Sequence, residues 1–375
     1  MPDLQNFDIV ICGGGCSAML LLYYLEQYPE FSKLKVLVIE KEPINDKKTW
    51  CFWHKGTYPL QHLISSSWNR IRFADQHFST TQTIQPYIYS SIKGEDFYDY
   101  FLNQFIPKLS NIKIIIDEVS RIEKQIGISS KVICKGGTYT SAAVYSSIIE
   151  ENFYGAPIFM WQHFKGWHIK TETNIFDNDT MTLMDFSNCL PNTCNFVYVL
   201  PYSKNEALIE VTAFSTKVWD DTEYLEQFNK HTSQLLEGID FEILGIEQGK
   251  IPMVDYQHSL FGSGGQILIG TAAGKLKPTS GYGFEKMRVD AENLASTYYL
   301  RNTPQQKIIH RFKFYDKLLL KIISENPKQA VKIFGQLFKK TPIPIILKFL
   351  YEETNLYEEA LIFCKLPFLP FIKRI

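Results

Sequence analysis

Charge of one sign is what this sequence lacks: 39 Lys+Arg stand against 40 Asp+Glu, for a net charge of -1. Such a balance gives no general attraction to a phosphate backbone, so nucleic acid is not expected as a partner. Cysteine is scarce and unpaired. The seven, at positions 12, 16, 51, 134, 189, 194 and 364, form no CxxC pair, and an odd number does not suit a secreted disulfide framework. A reducing cytoplasm is the expected setting, and Cys12, Cys16, Cys189 and Cys194 read as small core residues. The eight histidines show no ligand spacing that converges with the cysteines, so no metal is expected. No run reaches the roughly 18 to 20 apolar residues of a spanning helix. The opening MPDLQNFDIVICGGG carries acid where a secretory signal carries base, and glycines break its apolar stretch at once, so it is not expected to be a targeting peptide. A Gly-x-Ser-x-Gly elbow, a Walker loop and RNA-binding motifs are also missing, which sets aside hydrolysis, phosphoryl transfer and RNA recognition.

What is there suits a folded protein of two to three domains, or of one large domain with an inserted layer: 375 residues, 45% hydrophobic, with 17 Pro and 21 Gly spread along the chain. The 27 Phe, 21 Tyr and 6 Trp are more rings than one core needs, and they hint at an apolar ligand beside ordinary core packing. Phe7 to Cys12 reads as a short apolar strand, Ser17 to Gln27 as a helix and Leu34 to Ile39 as a second strand. Continuous apolar runs of this kind suit parallel strands covered on both faces, so the unit is a βαβ. From Trp50 to about Tyr100 the text is loop-rich and aromatic, with alternating pieces such as Ile71-Arg72-Phe73. Phe97 to Leu109 reads as a helix, Ile112 to Ile116 as a strand, Gln162 to Phe214 as a second sheet, Gly265 to Gly270 as a returning strand, and the chain from Lys286 onward as mostly helical. Arg311 to Lys340 carries eight basic residues against two acidic ones, interleaved with apolar side chains. That pattern fits a basic amphipathic helix on an anionic membrane surface and equally a solvated helix over a core. The apolar tail Leu366 to Ile375, with its basic end, adds to the membrane reading.

Gly13-Gly14-Gly15-Cys16-Ser17-Ala18 places Gly13, Gly15 and Ala18 as G-x-G-x-x-A between strand and helix. Glycines allow the tight turn and let a pyrophosphate approach backbone N–H groups at a helix start, where the macrodipole favours negative charge. Glu40, closing the second strand, can accept hydrogen bonds from a ribose 2′-OH and would repel a 2′-phosphate, which disfavours NADP in this pocket. Gly270-Thr271-Ala272-Ala273-Gly274, then Pro278 and Gly281-Tyr282-Gly283, follow a strand and precede a helix. That arrangement resembles the way flavoproteins close over their cofactor, so FAD is the expected dinucleotide, although Thr271 stands where an aspartate usually meets the ribityl chain.

In order along the chain, FDIVICGGGCSA, KKTWCFW, Gln162 with Gly166, LMDF, FVYVLPYSKNEALIEVT, GKIPM, GTAAGKLKPTSGYGF, and RFKFYDKLLL with FLYEET resemble the FAD-dependent lycopene cyclase family of carotenoid synthesis. The likeness runs nearly end to end. It implies an α/β fold: a Rossmann-like FAD-binding domain with an inserted β-sheet substrate domain and a helical C-terminal region. The expected division is 1–150 for the first part of the FAD domain with insertions, 151–260 for the substrate domain, 261–300 for the rest of the FAD domain, and 301–375 for a helical, membrane-contacting region. Two departures stand out. The Asp-Ala-Arg or Asp-Ser-Arg triplet usual in the family is Ser146-Ser147-Ile148 here, and Ser187 follows LMDF where arginine is common.

The resemblance implies redox-neutral closure of the ψ-ends of lycopene, or another acyclic carotenoid, to β-rings, with reduced FAD and with NADPH or NADH only as reductant. Such chemistry needs an acid that protonates an alkene, a negative environment for the cation, and a base. Glu210 in LIEVT matches the family's essential glutamate, and its apolar neighbours would raise its proton affinity. Read from the residues alone, a sheet glutamate facing solvent or paired with a lysine fits as well. Asp185 in LMDF is a second candidate carboxylate, equally explained as a strand-end residue. Trp50, Phe52, Trp53, Tyr198 and Tyr282 are candidates to line a substrate channel through their π-faces, with core packing as the ordinary alternative. Lys277 and Pro278 are expected to shape the flavin loop. The resemblance places the protein in the cytoplasm, peripherally on the inner face of the cell membrane. The competing expectations are a flavoprotein that reduces or hydroxylates an isoprenoid, and a non-catalytic flavin- or carotenoid-binding protein.

Overall fold

The computed structural model describes residues 5–44, 47–125, 129–305 and 309–374. Its first sheet has a parallel centre, in the order Ile112–Ile116, Val36–Glu40, Gln5–Cys12 and Thr138–Ser146. Ser130–Cys134 and Val119–Lys124 extend it antiparallel, and Ile267–Leu268 pairs parallel with Thr138–Ser146. Residues of the first strand divide between the two faces. Ile9 and Ile11 join a core shared with the helices Cys16–Glu26 and Phe284–Tyr299, whereas Val10 and Cys12 join one with Leu37, Ile39, Val132 and Val144. This two-sided burial is the physical reason for the unbroken apolar run.

The second sheet runs Phe241–Val254, Phe159–Thr171, Glu206–Ser215, Asn195–Pro201, Thr180–Asp185, Arg70–Ala74 and Ser79–Thr83. Its neighbours are antiparallel apart from the parallel pair Thr180–Asp185 with Arg70–Ala74. A small third sheet, Thr49–His54, Ile88–Lys93 and Ser66–Trp68, lies between. The Trp50 to Tyr100 segment is therefore strand-rich rather than loop-rich. Its strands are short and find partners far away in sequence, so alternation is too brief to announce them.

The helical part also departs from its expected form. The segment read as one helix from Phe97 is an α-turn Gly94–Asp99, a wider π-type turn Tyr100–Phe105 and a tight turn Ile106–Lys108, where Pro107 has no N–H to continue the ladder. The basic stretch is two helices, His310–Glu325 and Pro327–Lys340, parted at Asn326, whose side chain caps Gln329 N. Their apolar residues cover the second sheet: Phe338 stacks on Phe73 at 4.3 Å and Phe334 on Phe186 at 5.8 Å. Each such buried ring contributes about 1.5–3 kcal/mol. Lys313, Lys317, Lys328, Lys332, Lys339 and Lys340 face outward. Among the described residues no helix is long and apolar enough to cross a membrane.

Candidate active site

The first strand delivers the chain into Gly13, whose φ of +99° is open to glycine and whose absent Cβ would collide with Ser147 Oγ. Around Gly15 nothing lies within 4 Å of where a Cβ would be. The helix Cys16–Glu26 starts without a side-chain cap, and Ser17 Oγ is buried without a partner. Glu40 is drawn back to this turn, its Oε2 accepting from Gly14 N at 2.5 Å and its Oε1 from Lys41 N at 2.8 Å. Gly270, at φ +62°, brings the second glycine turn against the helix start, since a Cβ there would lie 2.8 Å from Ser17 Oγ. Uncapped N–H groups, open space at Gly15, an unengaged hydroxyl and a nearby carboxylate together fit a dinucleotide: pyrophosphate at the helix start, ribose toward Glu40.

From this cradle a cavity of 440 Å³ runs to the second sheet, lined by Gly15, Ser17, Trp50, Thr271, Gly281 and Gly283 at one end. Phe164, Leu183, Phe196, Tyr198, Tyr282 and Glu210 line the other. Gln162 Oε1, buried and without a partner, opens into it beside Gly281, where a Cβ would lie 2.7 Å away. Alternation along Glu206–Ser215 works as the sequence suggests: Ile209 and Val211 pack beneath Tyr224 and Phe228 of the helix Asp221–Thr232, so Glu210 and Thr212 face the cavity.

Glu210 is half-buried, and Thr212 Oγ1 donates to its Oε1 at 2.8 Å. Burial first, and the negative field of Glu247 second, push the Glu210 carboxyl up to about 8, while the Thr212 bond pulls the other way. At neutral pH it holds its proton. Beside it Tyr89 Oη meets Tyr198 Oη at 2.5 Å and Tyr282 Oη at 2.7 Å, a trio of hydroxyls that burial keeps protonated.

Asp185 lies elsewhere. It is buried, accepts from Arg72 Nη1 at 2.8 Å and from Ser187 N at 2.9 Å, and does not line the cavity. Burial opposes its charge, but the Ser187 and Arg72 bonds and His231 outweigh that and hold its carboxyl below the usual range. Ser187, in the place usual for arginine, thus fixes the Asp185 carboxylate by its backbone. Phe52 is also withdrawn, packed between Tyr58 at 4.7 Å and Phe284 at 5.0 Å. Trp53 stacks on Tyr351 at 4.1 Å, and Tyr351 Oη bonds to both Trp53 O (2.7 Å) and Trp53 N (3.1 Å). Gly13, Ala18 and Ala272 stand behind the lining, and Gly274 and Pro278 face a wider, polar cleft of 1220 Å³.

Ser146 ends its strand buried, and its Oγ accepts from Ile148 N at 3.2 Å, the local turn bond an aspartate would make. Ile148 is half exposed and supplies no replacement for a cation. Lys277 is wholly buried, donating to Asp316 Oδ2 at 2.8 Å and Glu352 Oε1 at 3.1 Å, so it ties the Gly281 loop to the C-terminal helices. Glu247, Tyr89, Asp316 and Glu352 are the residues that reading the sequence missed. Each is placed by pairing with a distant segment, and nothing local to them signals it.

Solved structures with this fold come from several flavoproteins. A geranylgeranyl bacteriochlorophyll reductase-like protein from Thermoplasma acidophilum superposes with a TM-score of 0.57 at 14% identity, over 99% of this chain and 96% of that one. A flavoprotein/dehydrogenase from Cytophaga hutchinsonii gives 0.60 at 11% identity, over 92% of each chain. An HpxO variant from Klebsiella pneumoniae, complexed with FAD, gives 0.61 at 12% identity, over 92% of this chain and 98% of that one. At these identities the likeness establishes the fold, which is the α/β Rossmann-type fold of FAD-dependent monooxygenases and reductases. No curated protein sequence matches. The profile described as Lycopene cyclase protein matches residues 8–374. Glycine turn, inserted sheet and C-terminal helices all fall within that span, and the chain belongs to the lycopene cyclase protein family.

Proposed function

We propose that this protein is a lycopene β-cyclase, an isomerase that closes the ψ-ends of lycopene to β-rings, giving γ-carotene and then β-carotene. The observation that carries this reading is the Glu210 carboxyl, its proton affinity raised by burial and by Glu247, at the apolar end of a cavity whose other end is a dinucleotide cradle. An ordinary glutamate is ionised at pH 7 and has no proton to give an alkene. Glu210 keeps one, and it faces Leu183, Phe164 and Phe196, which suit a hydrocarbon chain end.

Glu210 gives its proton to C2, the C5–C6 double bond attacks C1, and the ring closes with positive charge at C5. Removal of the C6 proton by the resulting carboxylate completes the β-ring and recharges the acid, so no electrons are gained or lost. Tyr198 and Tyr282 line the same end of the cavity as Glu210, where aromatic rings would favour a cation. FAD, held by Gly15, Ser17, Glu40, Thr271 and Gly281 and kept reduced by NADPH or NADH, would supply negative charge beside that cation without net redox change.

The substrate dissolves in membranes, and Leu356, Tyr357, Phe368 and Leu369 are each about 70% exposed in the same C-terminal stretch as Lys365 and Lys373. We infer that this end of the molecule rests on the inner face of the cell membrane, apolar side chains in the acyl boundary and cations at anionic headgroups.

The test is pigment analysis of lycopene-accumulating bacterial cells expressing the parent or Glu210→Gln. Conversion by the parent alone supports both the activity and the acid, and the γ- to β-carotene ratio counts the ends closed. Untouched lycopene with a well-expressed, flavin-loaded parent overturns the reading. NAD(P)H consumed in proportion to product would indicate a reductase or hydroxylase instead.

A further inference from the structure

Glu210 and Glu247 sit two strands apart in one sheet, each directly opposite the same residue of the strand between them: Gly166 pairs with Glu210 on one side and with Glu247 on the other. Directly opposed residues in a sheet point to the same face, so the two carboxylic side chains flank Gly166 on the cavity side. Strands one removed are about 10 Å apart at Cα, a gap an ordinary intervening side chain would fill. Glycine leaves it open. A Cβ on Gly166 would stand 3.2 Å from Glu247 Cγ, 3.5 Å from Glu210 Cβ and 2.9 Å from Leu208 Cδ1. Gly166 is not in a left-handed conformation and needs no freedom of backbone; its use here is the missing side chain.

We propose that Glu247 is a positioning residue that keeps the proton on Glu210, the two carboxyl groups acting across Gly166 as one pair. The proposal rests on the reading of Glu210 as the acid. Thr49 holds Glu247 in place with two donors, Oγ1 to Oε2 at 2.7 Å and N to Oε1 at 3.4 Å, and donors of this kind favour the charged carboxylate. Like charges at close range do not both ionise readily, so the ionised Glu247 leaves the proton with Glu210. The other titratable groups around Glu210 are Cys51, Tyr198, Tyr202, Tyr224 and Tyr282, all kept neutral by burial. Lys48 and Lys250 also line the cavity, and Lys250 Nζ lies 4.8 Å over the Trp161 ring. The charged neighbour that acts on the Glu210 carboxyl is Glu247.

The pair has a consequence at each stage of the reaction. Before transfer it holds one proton and one negative charge. When the proton passes from Glu210 to C2, both carboxyl groups are ionised, and two negative charges face the carbocation. Their mutual repulsion makes Glu210 a stronger base, which favours removal of the C6 proton and returns the pair to its starting state. One proton leaves and one comes back.

The experiment is a pH titration of the flavin-loaded protein with ¹³C-labelled glutamate, following the infrared band of the protonated carboxyl. Glu210→Gln assigns the band by removing it. In Glu247→Gln the band should titrate about one pH unit or more lower than in the parent; at the parent's midpoint a one-unit fall leaves about fivefold less of the acid. Glu247→Asp, which keeps the charge, should stay near the parent, and it serves as the second variant if the glutamine form folds poorly. The alkaline limb of kcat/KM against lycopene in vesicles should move with the band. An unmoved midpoint in Glu247→Gln, or an aspartate variant that titrates like the glutamine one, overturns the proposal. If the band moves while lycopene is untouched, the pair stands and the cyclase reading fails. Turnover with a limb that Glu247→Gln leaves in place sinks the pair and spares the cyclase reading.

Discussion

Glu210 and Asp185 stand on the same sheet and are held in opposite states. Both are withdrawn from water, and Arg72, a backbone N–H and the nearby His231 hold Asp185 in its charged form. Glu210 accepts from the Thr212 hydroxyl and has a carboxylate as its charged neighbour, and its proton affinity is raised. Depth alone does not decide whether a carboxyl group is charged. The sign of what faces it acts together with burial, and so two acids on one sheet are held in opposite states.

The sharpest attack on this contrast is Glu210→Gln, expected to cost at least about 100-fold in cyclisation rate because it removes the proton donor, read by pigment analysis. The same variant bears on stability. A carboxyl whose proton affinity is raised on folding makes the folded state lose stability as pH rises from the ordinary glutamate value toward about 8. Urea titrations at pH 5 and pH 8.5 should show the parent losing a few kcal/mol that Glu210→Gln does not lose; equal losses would mean Glu210 is ionised throughout.

Next in size is Lys277→Met, which would leave the buried Asp316 without its cation while Glu352 keeps Lys286 at 2.8 Å, at a cost of about 3–5 kcal/mol in chemical denaturation. It extends the contrast to a third carboxyl environment, in which a cation is wholly enclosed. Asp185→Asn should cost about 1–3 kcal/mol through its charge-assisted bonds and leave the pH profile of turnover in place. Because its proton affinity is lowered on folding, the stability Asp185 adds is present above the ordinary aspartate value and is lost as pH falls through the folded one. A shifted alkaline limb in this variant would erase the distinction from Glu210. Smallest in the fold, Phe368→Ser with Leu369→Ser should change stability by no more than about 0.5 kcal/mol while reducing recovery on anionic vesicles in a flotation assay.

Much of the nucleotide half was legible because its signals are local. Strand, glycine turn, helix and Glu40 lie within the 34 consecutive positions from Phe7 to Glu40, and each has its own composition cue. The second sheet was readable as a sheet but not in its pairing. Asp185 meets Arg72 because Thr180–Asp185 runs parallel to a strand more than 100 residues earlier, and no pattern near either residue foretells that. Glu210 was found through family resemblance; its apolar neighbours alone fit a solvated glutamate. Glu247 escaped because nothing in the text of Phe241–Val254 marks the strand it pairs with or the face its side chain takes. Its closeness to Glu210 depends on the register of three strands and on one glycine, a relation that exists only after folding.

The bonds from Tyr351 Oη to both backbone groups of Trp53 join segments 298 residues apart. During synthesis the N-terminal strands emerge first and wait for their partners. The Thr49–His54 strand, one wall of the cavity, therefore stays without its clasp until most of the chain has left the ribosome. Until then the apolar interior lies open to water and to other chains. An end-of-message frameshift that spares every cavity-lining residue would still leave that wall unfastened, and its expected outcome in the cell is degradation rather than a slow enzyme.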